Sequence, residues 1–364
     1  MEYPAGPEVV SKYAHTLSDG KVQCDLCPQQ CRLTDGQRGI CFVRACAGDR
    51  IVLTTYGRSS GFCIDPIEKK PLNHFLPGTP VLSFGTAGCN LRCSFCQNWH
   101  ISRSREVETT ADEAAPETIA RAAAELGCRS VAFTYNDPVV FHEYAIDVAR
   151  ACHERKIKTV AVTAGYVNPE PRAEFYRFMN AANVDLKGFS ERFYQTHCGG
   201  HLQPVLDTLV YLRKETSVWL EITTLIIPGE NDSEKEIGEL AHWVAANLGP
   251  EVPIHFTAFH PAWKMTDRRA TPVAPLARAR EIAMGNGVRY AYTGNVHDEQ
   301  GACTYCHQCR APLIGRDGYY LTQWNLDGQG KCSSCGAVCA GVFDAQSGSW
   351  GPRCIPVSLE SFRE

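Results

Sequence analysis

Short apolar runs alternate with longer amphipathic segments through most of the middle of the chain. Runs of four to six β-branched and aromatic positions bounded by turn residues predict buried strands, whereas apolar positions three and four apart predict helices. Six runs predict strands, at residues 81–84, 130–135, 159–163, 184–187, 218–223 and 254–259. Strands that alternate with helices indicate an α/β fold, in which the parallel sheet is either an open doubly wound sheet or a barrel.

Three segments between these runs carry helix signals. Residues 116–126 begin with proline and are followed by glycine, which suit the first turn and the end of a helix. Pro138 suits the start of a second helix, and Ser233 predicts the cap of a third over residues 234–246. Glu236 stands three residues after Ser233, which is the spacing of a capping box.

Length, composition and charge indicate the size of the core, the classes of partner and the cellular location. The 364 residues are 44% apolar, which is enough for a large core in two or three domains. The net charge of -4 gives no electrostatic reason to expect nucleic acid as a partner. No apolar run approaches the roughly 18 residues of a membrane span, and the first residues show no secretory signal pattern. These features predict a cytoplasmic protein without a nucleic-acid or membrane partner.

The 19 cysteines are unusual for such a protein. A reducing cytoplasm disfavours disulfides, so clustered cysteines indicate metal binding, and we expect the scattered ones to be inert buried thiols. They form three blocks: Cys24, Cys27, Cys31 and Cys41; Cys89, Cys93 and Cys96; and Cys303, Cys306, Cys309, Cys332, Cys335 and Cys339.

The middle block, Cys-x3-Cys-x2-Cys, carries the most specific chemistry. A 4Fe-4S cluster normally takes four thiolates, so a cluster held by Cys89, Cys93 and Cys96 leaves one iron open. S-adenosylmethionine can chelate that iron and accept an electron at its sulfonium, which yields methionine and a 5′-deoxyadenosyl radical. A structural zinc knot explains the triplet less well, because structural zinc usually takes four ligands in paired knuckles.

The sequence around the triplet, Ser-Phe-Gly-Thr-Ala-Gly before it and Gln-Asn-Trp after it, resembles the radical S-adenosylmethionine (SAM) superfamily. It is similar to the branch of the pyruvate formate-lyase activating enzymes, and more closely to the radical SAM enzymes of the AmmeMemoRadiSam system. The resemblance runs from about the Cys24 region to the Cys332 region. It implies a partial (β/α)6 radical SAM barrel, in which the cluster loop follows the first strand.

The resemblance also implies cofactor-binding residues. Thr134, Tyr135, Asn136 and Asp137 resemble a family segment, Thr-Tyr-Asn-Glu-Pro, that helps to hold the methionine moiety. Asp137 is one methylene shorter than the family glutamate, so capping the next helix is an equally good role for its side chain. The resemblance places Phe95 beside the adenine.

Polar residues at strand ends complete the predicted site. Asp185 and Lys187 alternate along the fourth strand and therefore share a face, where we favour contact with ribose or substrate over a purely structural ion pair. His255 and His260 fall on opposite faces of the sixth strand if it stays extended. His260 is the better catalytic candidate, and a satisfied core histidine is the alternative.

The terminal cysteines predict further metal sites. Cys306-x2-Cys309 and Cys332-x2-Cys335 form two knuckles typical of a zinc ribbon or a rubredoxin-like module, which suit zinc or iron equally. Cys303, Cys339 and Cys354 leave open a different ligand set or a second cluster. The N-terminal block, Cys24, Cys27, Cys31 and Cys41, offers four thiolates for zinc or for an auxiliary 4Fe-4S cluster.

These features predict a radical SAM enzyme that abstracts hydrogen from a small molecule, a peptide or a protein, with a glycyl-radical protein as one target. We expect a Cys-rich segment over 1–75, a barrel over 76–298 and a metal-binding module over 299–364. Flavodoxin or ferredoxin is the expected electron donor. The alternative is an iron-sulfur electron-transfer or metal-binding protein without radical chemistry, which needs no cofactor pocket.

Overall fold

A computed structural model of the chain describes residues 9–103 and 112–363. Its centre is a sheet of nine strands. In chain order they are β1 Phe62–Pro66, β2 Pro80–Phe84, β3 Ser130–Phe133, β4 Lys158–Thr163, β5 Ala181–Asp185, β6 Trp219–Ile226, β7 Ile254–Ala258, β8 Ala291–Gly294 and β9 Ile355–Val357.

The strands follow one another across the sheet in the order β8-β7-β6-β5-β4-β3-β2-β1-β9. Strands β2 to β8 are parallel, and β1 and β9 extend the sheet antiparallel beyond β2. A doubly wound sheet reverses its strand order at a switch point, and the order of β2 to β8 has no such reversal. The carboxyl ends of these seven strands therefore meet along one edge, where α/β proteins place their ligands.

One principal helix connects each pair of consecutive parallel strands. These helices are α1 Pro116–Glu125, α2 His142–Glu154, α3 Pro169–Arg177, α4 Gln203–Glu215, α5 Glu234–Asn247 and α6 Val273–Gly285. Shorter helical segments are Ile67–Lys69, Trp99–Ser102, Pro138–Phe141, Glu191–Phe193, Tyr194–Cys198, Glu299–Ala302 and Glu360–Phe362. Within residues 9–103 and 112–363, no helix is long and apolar enough to cross a membrane.

All six predicted strands are present. The sheet contains a seventh parallel strand that was not predicted. The missed parallel strand, β8, is only four residues long and includes Thr293 and Gly294, so it lacks the apolar run that the prediction requires. The predicted strand 130–135 ends at Phe133, and the predicted strand 184–187 is in fact Ala181–Asp185. Neighbouring strands set this last register, because Ala181 pairs with both Val160 and Trp219.

Only one of the two hydrogen bonds of the predicted capping box at α5 forms. The Ser233 hydroxyl accepts a hydrogen bond from the Glu236 amide, as the prediction requires. The Glu236 carboxylate accepts instead from the Phe189 amide at 2.7 Å. Glu236 therefore binds the loop that follows β5, close to the carboxyl ends of the parallel strands, instead of the backbone of its own helix.

Small antiparallel sheets flank the centre. The N-terminal region contributes Val9–Val10, Ala14–Thr16, Val22–Cys24, Arg32–Leu33, Arg44–Ala47, Arg50–Leu53 and Arg58–Ser59, the last paired with Asp112–Glu113. The C-terminal region contributes Thr304–Tyr305, Pro312–Asp317 and Tyr320–Trp324. Strands β1 and β9 belong to the central sheet although they lie outside the range 76–298 predicted for it.

Candidate active site

The loop that carries Cys89, Cys93 and Cys96 is fixed to the end of β3 by one side chain. The amide nitrogen of Asn136 donates to the carbonyl oxygens of Ala87 (3.1 Å) and Gly88 (2.8 Å), and its carbonyl oxygen accepts from the Thr86 amide (2.9 Å). A Cβ at Gly85 would lie 2.3 Å from the Thr134 carbonyl oxygen, so only glycine allows this approach. The residues just before Cys89 are thus fixed to the segment that follows β3.

The three cysteines open onto one cavity of about 250 Å³ at the carboxyl ends of the parallel strands. All seven predicted cofactor-binding residues line this cavity with them, namely Phe95, Thr134, Tyr135, Asn136, Asp137, Asp185 and Lys187. Further polar lining residues went unpredicted, because a sequence does not show which side chains of the strand ends and of the cluster loop turn inward. They are Gln97, Asn98, Ser102, Thr163, Thr223 and Thr257.

The thiols of the triplet differ in acidity. A hydrogen bond from Cys198 lowers the pKa of Cys93 to about 7, against the effect of burial. Burial raises the pKa of Cys89 to about 12 and also raises that of Cys96, whose sulfur lies 3.2 Å from the Ser102 hydroxyl. The Cys93 thiol is therefore the most acidic of the three.

Asp185 and Lys187 form an ion pair at 2.8 Å, with the lysine side chain 15% and the aspartate 34% exposed. Burial alone lowers the pKa of Lys187, but attraction to Asp185 and to the thiols of Cys93 and Cys198 outweighs it and raises that pKa well above its usual value. A permanent cation therefore lies beside the cysteines, where it favours their thiolates and any anionic group in the cavity.

The Asp137 carboxylate is fully engaged with the protein. It caps the segment Pro138–Phe141 by accepting from the Val139 amide at 3.0 Å, and it also accepts from the Ala164 amide at 2.8 Å and from the Thr163 hydroxyl. Burial raises its pKa in spite of these bonds. The structure thus shows the helix-cap role and, in addition, a link between the ends of β3 and β4.

Phe95 and Tyr135 form apolar parts of the cavity wall. Phe95 is buried and packs against Phe193, with ring centroids 5.8 Å apart. Tyr135 has a positive φ of 70°, and its hydroxyl donates to Asp65 at 3.1 Å. The strained backbone at Tyr135 turns its carbonyl oxygen toward the cluster loop, where the Asn98 side chain donates to it at 2.9 Å.

The two predicted histidines lie apart from this cavity. His260 is exposed, follows the end of β7, and does not line the cavity. His255 is buried and bonded to Glu221 at 2.7 Å, which is the satisfied core histidine that the sequence left open. The same Glu221 carboxylate also accepts from the backbone amides of Asn73 and His74.

The C-terminal knuckles converge. The sulfurs of Cys306, Cys309, Cys332 and Cys335 all lie within 4.8 Å of one another. Each knuckle closes through a backbone hydrogen bond back to its first cysteine, from Arg310 to Cys306 at 3.0 Å and from Gly336 to Cys332 at 2.8 Å. Both donors have positive φ, as tight thiolate knuckles require.

Cys303, Cys339 and Cys354 lie outside this sulfur group. The Cys303 sulfur accepts from the Arg316 amide at 3.1 Å, and Cys339 is buried beside His74 and Tyr290. Cys354 is exposed and lies 3.2 Å from the Lys69 ammonium. The geometry therefore favours the predicted four ligands over the alternative set.

The N-terminal cysteines surround a small cavity of about 20 Å³, together with the buried side chain of Arg44. Burial raises the pKa of Cys24 to about 12 and raises those of Cys27 and Cys41. None of the 19 cysteines, all of which lie in the described part of the chain, is in a disulfide. Within that part, no second group of metal-binding side chains is clustered as tightly as the C-terminal one.

Comparison with known proteins identifies the class. Residues 84–241 match the Radical SAM superfamily, and over 321 residues the chain is 39% identical to an archaeal protein. The chain belongs to the radical SAM superfamily, as the cysteine triplet predicts. The archaeal relative is the uncharacterized protein MJ0808 of Methanocaldococcus jannaschii, and the match spans 88% of this chain and 95% of that protein.

Other relatives are activating enzymes. The chain is 27% identical to the pyruvate formate-lyase-activating enzyme of Clostridium pasteurianum, over 50% of this chain and 76% of that enzyme. It is 27% identical to the 4-hydroxyphenylacetate decarboxylase activating enzyme of Clostridium scatologenes, over 36% of this chain and 41% of that enzyme. A solved radical SAM methyltransferase from Sphaerobacter thermophilus gives a TM-score of 0.48 at 16% identity, covering 80% of this chain and 77% of the other.

Proposed function

We propose that this protein holds a 4Fe-4S cluster on Cys89, Cys93 and Cys96 and cleaves S-adenosylmethionine there to abstract hydrogen from a substrate. The observation that carries the proposal is the single cavity shared by the three cysteines and the ends of β3 to β7. When bound, the cluster supplies the electron that splits the sulfonium and releases a 5′-deoxyadenosyl radical. A donor set of three thiols lining an open cavity fits a cluster with one free iron.

We assign different roles in cluster and cofactor binding to the side chains around the cavity. Asn136 fixes the loop, and Lys187 supplies a cation next to Cys93 and Cys198. We assign Thr134 and the backbone of Tyr135 and Asn136 to the methionine end of the cofactor, and Asp137 links the strand ends that carry them. Asp185 remains partly exposed to the cavity, where its free carboxylate oxygen can accept from a ribose hydroxyl.

We further propose that β2 to β8 form a partial barrel and that the regions 1–75 and 299–364 serve as metal-binding modules. The tight C-terminal sulfur group suits one tetrahedral zinc or iron ion. The wider N-terminal group suits an auxiliary 4Fe-4S cluster better than zinc, because each cysteine of a cubane binds a different iron. The sulfurs of the central triplet are likewise more widely spread than a single ion requires.

The electron donor, the substrate class and the location are proposed from the class of the relatives and from the chemistry of the cysteines. The activating enzymes among the relatives are named for the enzymes that they activate, which supports a reductant such as flavodoxin or ferredoxin and a protein substrate. A small molecule or a peptide is the other substrate class. We propose a cytoplasmic location, since low-potential clusters with free thiols require reducing conditions.

An electron-transfer or metal-binding role without radical chemistry is the alternative function. Such a protein has no use for a cavity of about 250 Å³ beside its cysteines, and the polar lining of that cavity supports the radical proposal instead. The two functions differ in one measurable product, 5′-deoxyadenosine.

The test is anaerobic reconstitution of the full chain with iron and sulfide, reduction with dithionite, and quantification of 5′-deoxyadenosine. Single alanine variants of Cys89, Cys93 and Cys96 should form none while keeping the C-terminal metal. Cys152→Ala, which removes a buried thiol within α2, is the matched control and should retain the parent rate. Product formation at the parent rate in any triplet variant would refute the assignment.

A further inference from the structure

Two stacked tryptophans lie at the surface beside the cluster loop. Trp99 follows Cys96 by three residues, and its ring stacks on that of Trp263 with centroids 4.9 Å apart. Trp99 is 43% exposed and is the only exposed tryptophan among the described residues. Tryptophan is highly buried on average and is enriched in protein–protein interfaces, so an exposed tryptophan that stacks on a second one indicates a surface that meets a partner.

The loop that carries Trp263 is fixed at its base and at its tip. At the base, the Thr271 amide donates to the Phe259 carbonyl oxygen at 2.9 Å, and the Thr271 hydroxyl accepts from the Phe259 amide at 3.1 Å. At the tip, Ala262 and Met265 exchange backbone hydrogen bonds of 3.2 and 3.0 Å, with Trp263 in the turn between them. Trp263 has a φ of +55°, which is costly for so bulky a side chain. The turn therefore holds Trp263 against Trp99 in spite of backbone strain.

The same loop is bonded to the cluster loop next to its cysteines. The Lys264 amide donates to the carbonyl oxygen of Ser94, the residue after Cys93, at 3.0 Å. The Gln97 side chain donates to the His260 carbonyl oxygen at 3.2 Å. Neither tryptophan lines the cofactor cavity. A partner seated on the tryptophans thus meets the cluster loop from outside the space where we place hydrogen abstraction.

The charges on these two segments are mainly positive. Residues 89–100 and 259–271 expose three permanent cations and one carboxylate, which are Arg92, Lys264, Arg269 and Asp267. None of the three cations is in an ion pair within the described part of the chain. The Lys264 ammonium lies 5.7 Å from the centroid of the Trp263 ring. The whole chain carries a net charge of -4, so this local excess of positive charge favours an acidic partner.

The small size of this surface favours a transient partner. Stable complexes bury roughly 1,200 to 2,000 Å², whereas weak encounters between redox proteins bury less. One exposed and one partly exposed tryptophan with a few cations form only a small contact area. An electron carrier fits this surface best, because it must approach the cluster loop, does not need the cofactor cavity, and must leave after it has delivered its electron.

We propose that Trp99, Trp263 and Lys264 form a docking surface for an acidic electron-carrier protein that reduces the cluster. The inference rests on the proposed function, because the cluster gives the carrier its role. In the encounter one electron leaves the flavin or iron-sulfur centre of the carrier and enters the cluster, and no covalent bond forms or breaks. The tryptophans supply the apolar contact, and the cations attract the carrier and orient it.

The test measures binding of two probes, a bacterial flavodoxin and an acidic ferredoxin, to the reconstituted full chain by isothermal titration calorimetry at low ionic strength. At least one of them should bind. Trp99→Ala and Lys264→Glu should each weaken that binding at least about tenfold. Added salt should weaken binding by the parent more than binding by Lys264→Glu, because the variant has lost part of the attraction that salt screens.

Matched controls change exposed residues of the same kinds elsewhere. Tyr320 is 58% exposed in the C-terminal region, and Lys235 is exposed on α5, so Tyr320→Ala and Lys235→Glu should bind as the parent does. Dithionite is a small reductant that needs no docking surface. The ratio of carrier-driven to dithionite-driven 5′-deoxyadenosine should therefore fall in Lys264→Glu and stay at the parent value in Lys235→Glu. Iron content identifies a variant with a damaged cluster loop, and if Trp99→Ala loses iron, Lys264→Glu decides the question.

The two proposals fail separately. No binding of either carrier, or full affinity in Lys264→Glu or in an iron-loaded Trp99→Ala, overturns the docking surface even when 5′-deoxyadenosine is formed. Self-association of the parent in sedimentation that Trp99→Ala abolishes would assign the surface to a second copy of the chain and would also overturn it. Absence of 5′-deoxyadenosine with dithionite overturns the radical function, and carrier binding that depends on Lys264 would still support the docking surface.

Discussion

Gly88→Ala tests how closely the N-terminal region supports the cluster loop. Gly88 precedes Cys89 and has a φ of +78°. An alanine Cβ there would lie 2.0 Å from the Cys41 carbonyl oxygen, although side-chain Cβ atoms do not approach closer than 3.0 Å. Gly88 cannot shift freely, because its amide donates to the Ile101 carbonyl oxygen and its own carbonyl oxygen accepts from Asn136.

Gly36 provides a matched control. Its φ is also +78°, and a Cβ would meet nothing within 4 Å. Gly36→Ala should therefore lower the free energy of unfolding by about 1 to 2 kcal/mol, which is the cost of a left-handed backbone conformation for alanine. Gly88→Ala should lower the free energy of unfolding by the same amount plus roughly 1 to 3 kcal/mol, because the new Cβ overlaps the Cys41 carbonyl oxygen. The overlap should also move Cys89 or Cys41.

Urea unfolding of the metal-free proteins compares the stabilities, and iron content after reconstitution reports the loop. We expect Gly88→Ala to lose iron relative to Gly36→Ala. Equal free energies of unfolding and equal iron content in the two variants would show that the contact between the N-terminal region and the cluster loop does not matter.

Three further predictions concern metal binding, cofactor binding and pH. Serine replacement of any of Cys306, Cys309, Cys332 or Cys335 in the full chain should remove one metal ion by elemental analysis, whereas Cys303→Ser and Cys339→Ser should keep it. Phe95→Ala should weaken S-adenosylmethionine binding by about 1 kcal/mol in equilibrium dialysis, and an unchanged dissociation constant would count against contact with the adenine. Burial lowers the pKa of His74 to about 4 from 6.5, so the unfolded chain takes up a proton that the folded one does not, and stability falls as pH drops through this window. Between pH 7 and pH 5 the loss should be about 2 kcal/mol, and His74→Gln should abolish that part of it in urea titrations at the two pH values.

The local patterns predicted most of the parallel sheet but not its edges. The runs at 81–84 and 159–163 are apolar because helices and inner side chains cover both faces of those strands. Strand β9 has no such signal, and Ile355 at its start is 41% exposed. It forms because β1 offers it a partner almost three hundred positions earlier in the chain, and no local pattern records such a pairing.

The candidate site shows the same division. Spacing identified the cysteine triplet and the four C-terminal sulfurs, because metal ligands within one loop or knuckle pair must keep fixed intervals. It also favoured His260, whose exposed side chain does not line the cavity, because the sequence cannot show which way a side chain beyond a strand end points.

The pairing of β1 with β9 has a consequence for synthesis of the protein on the ribosome. Residues 62–66 and the cysteine loop are made early, whereas β1 gains its second neighbour only after residue 357 has emerged. During that interval the loop and the strands that hold it can form while the edge beside β1 is still uncovered. We expect the backbone groups along this edge of β1 to stay unpaired in nascent chains until the last strand joins them.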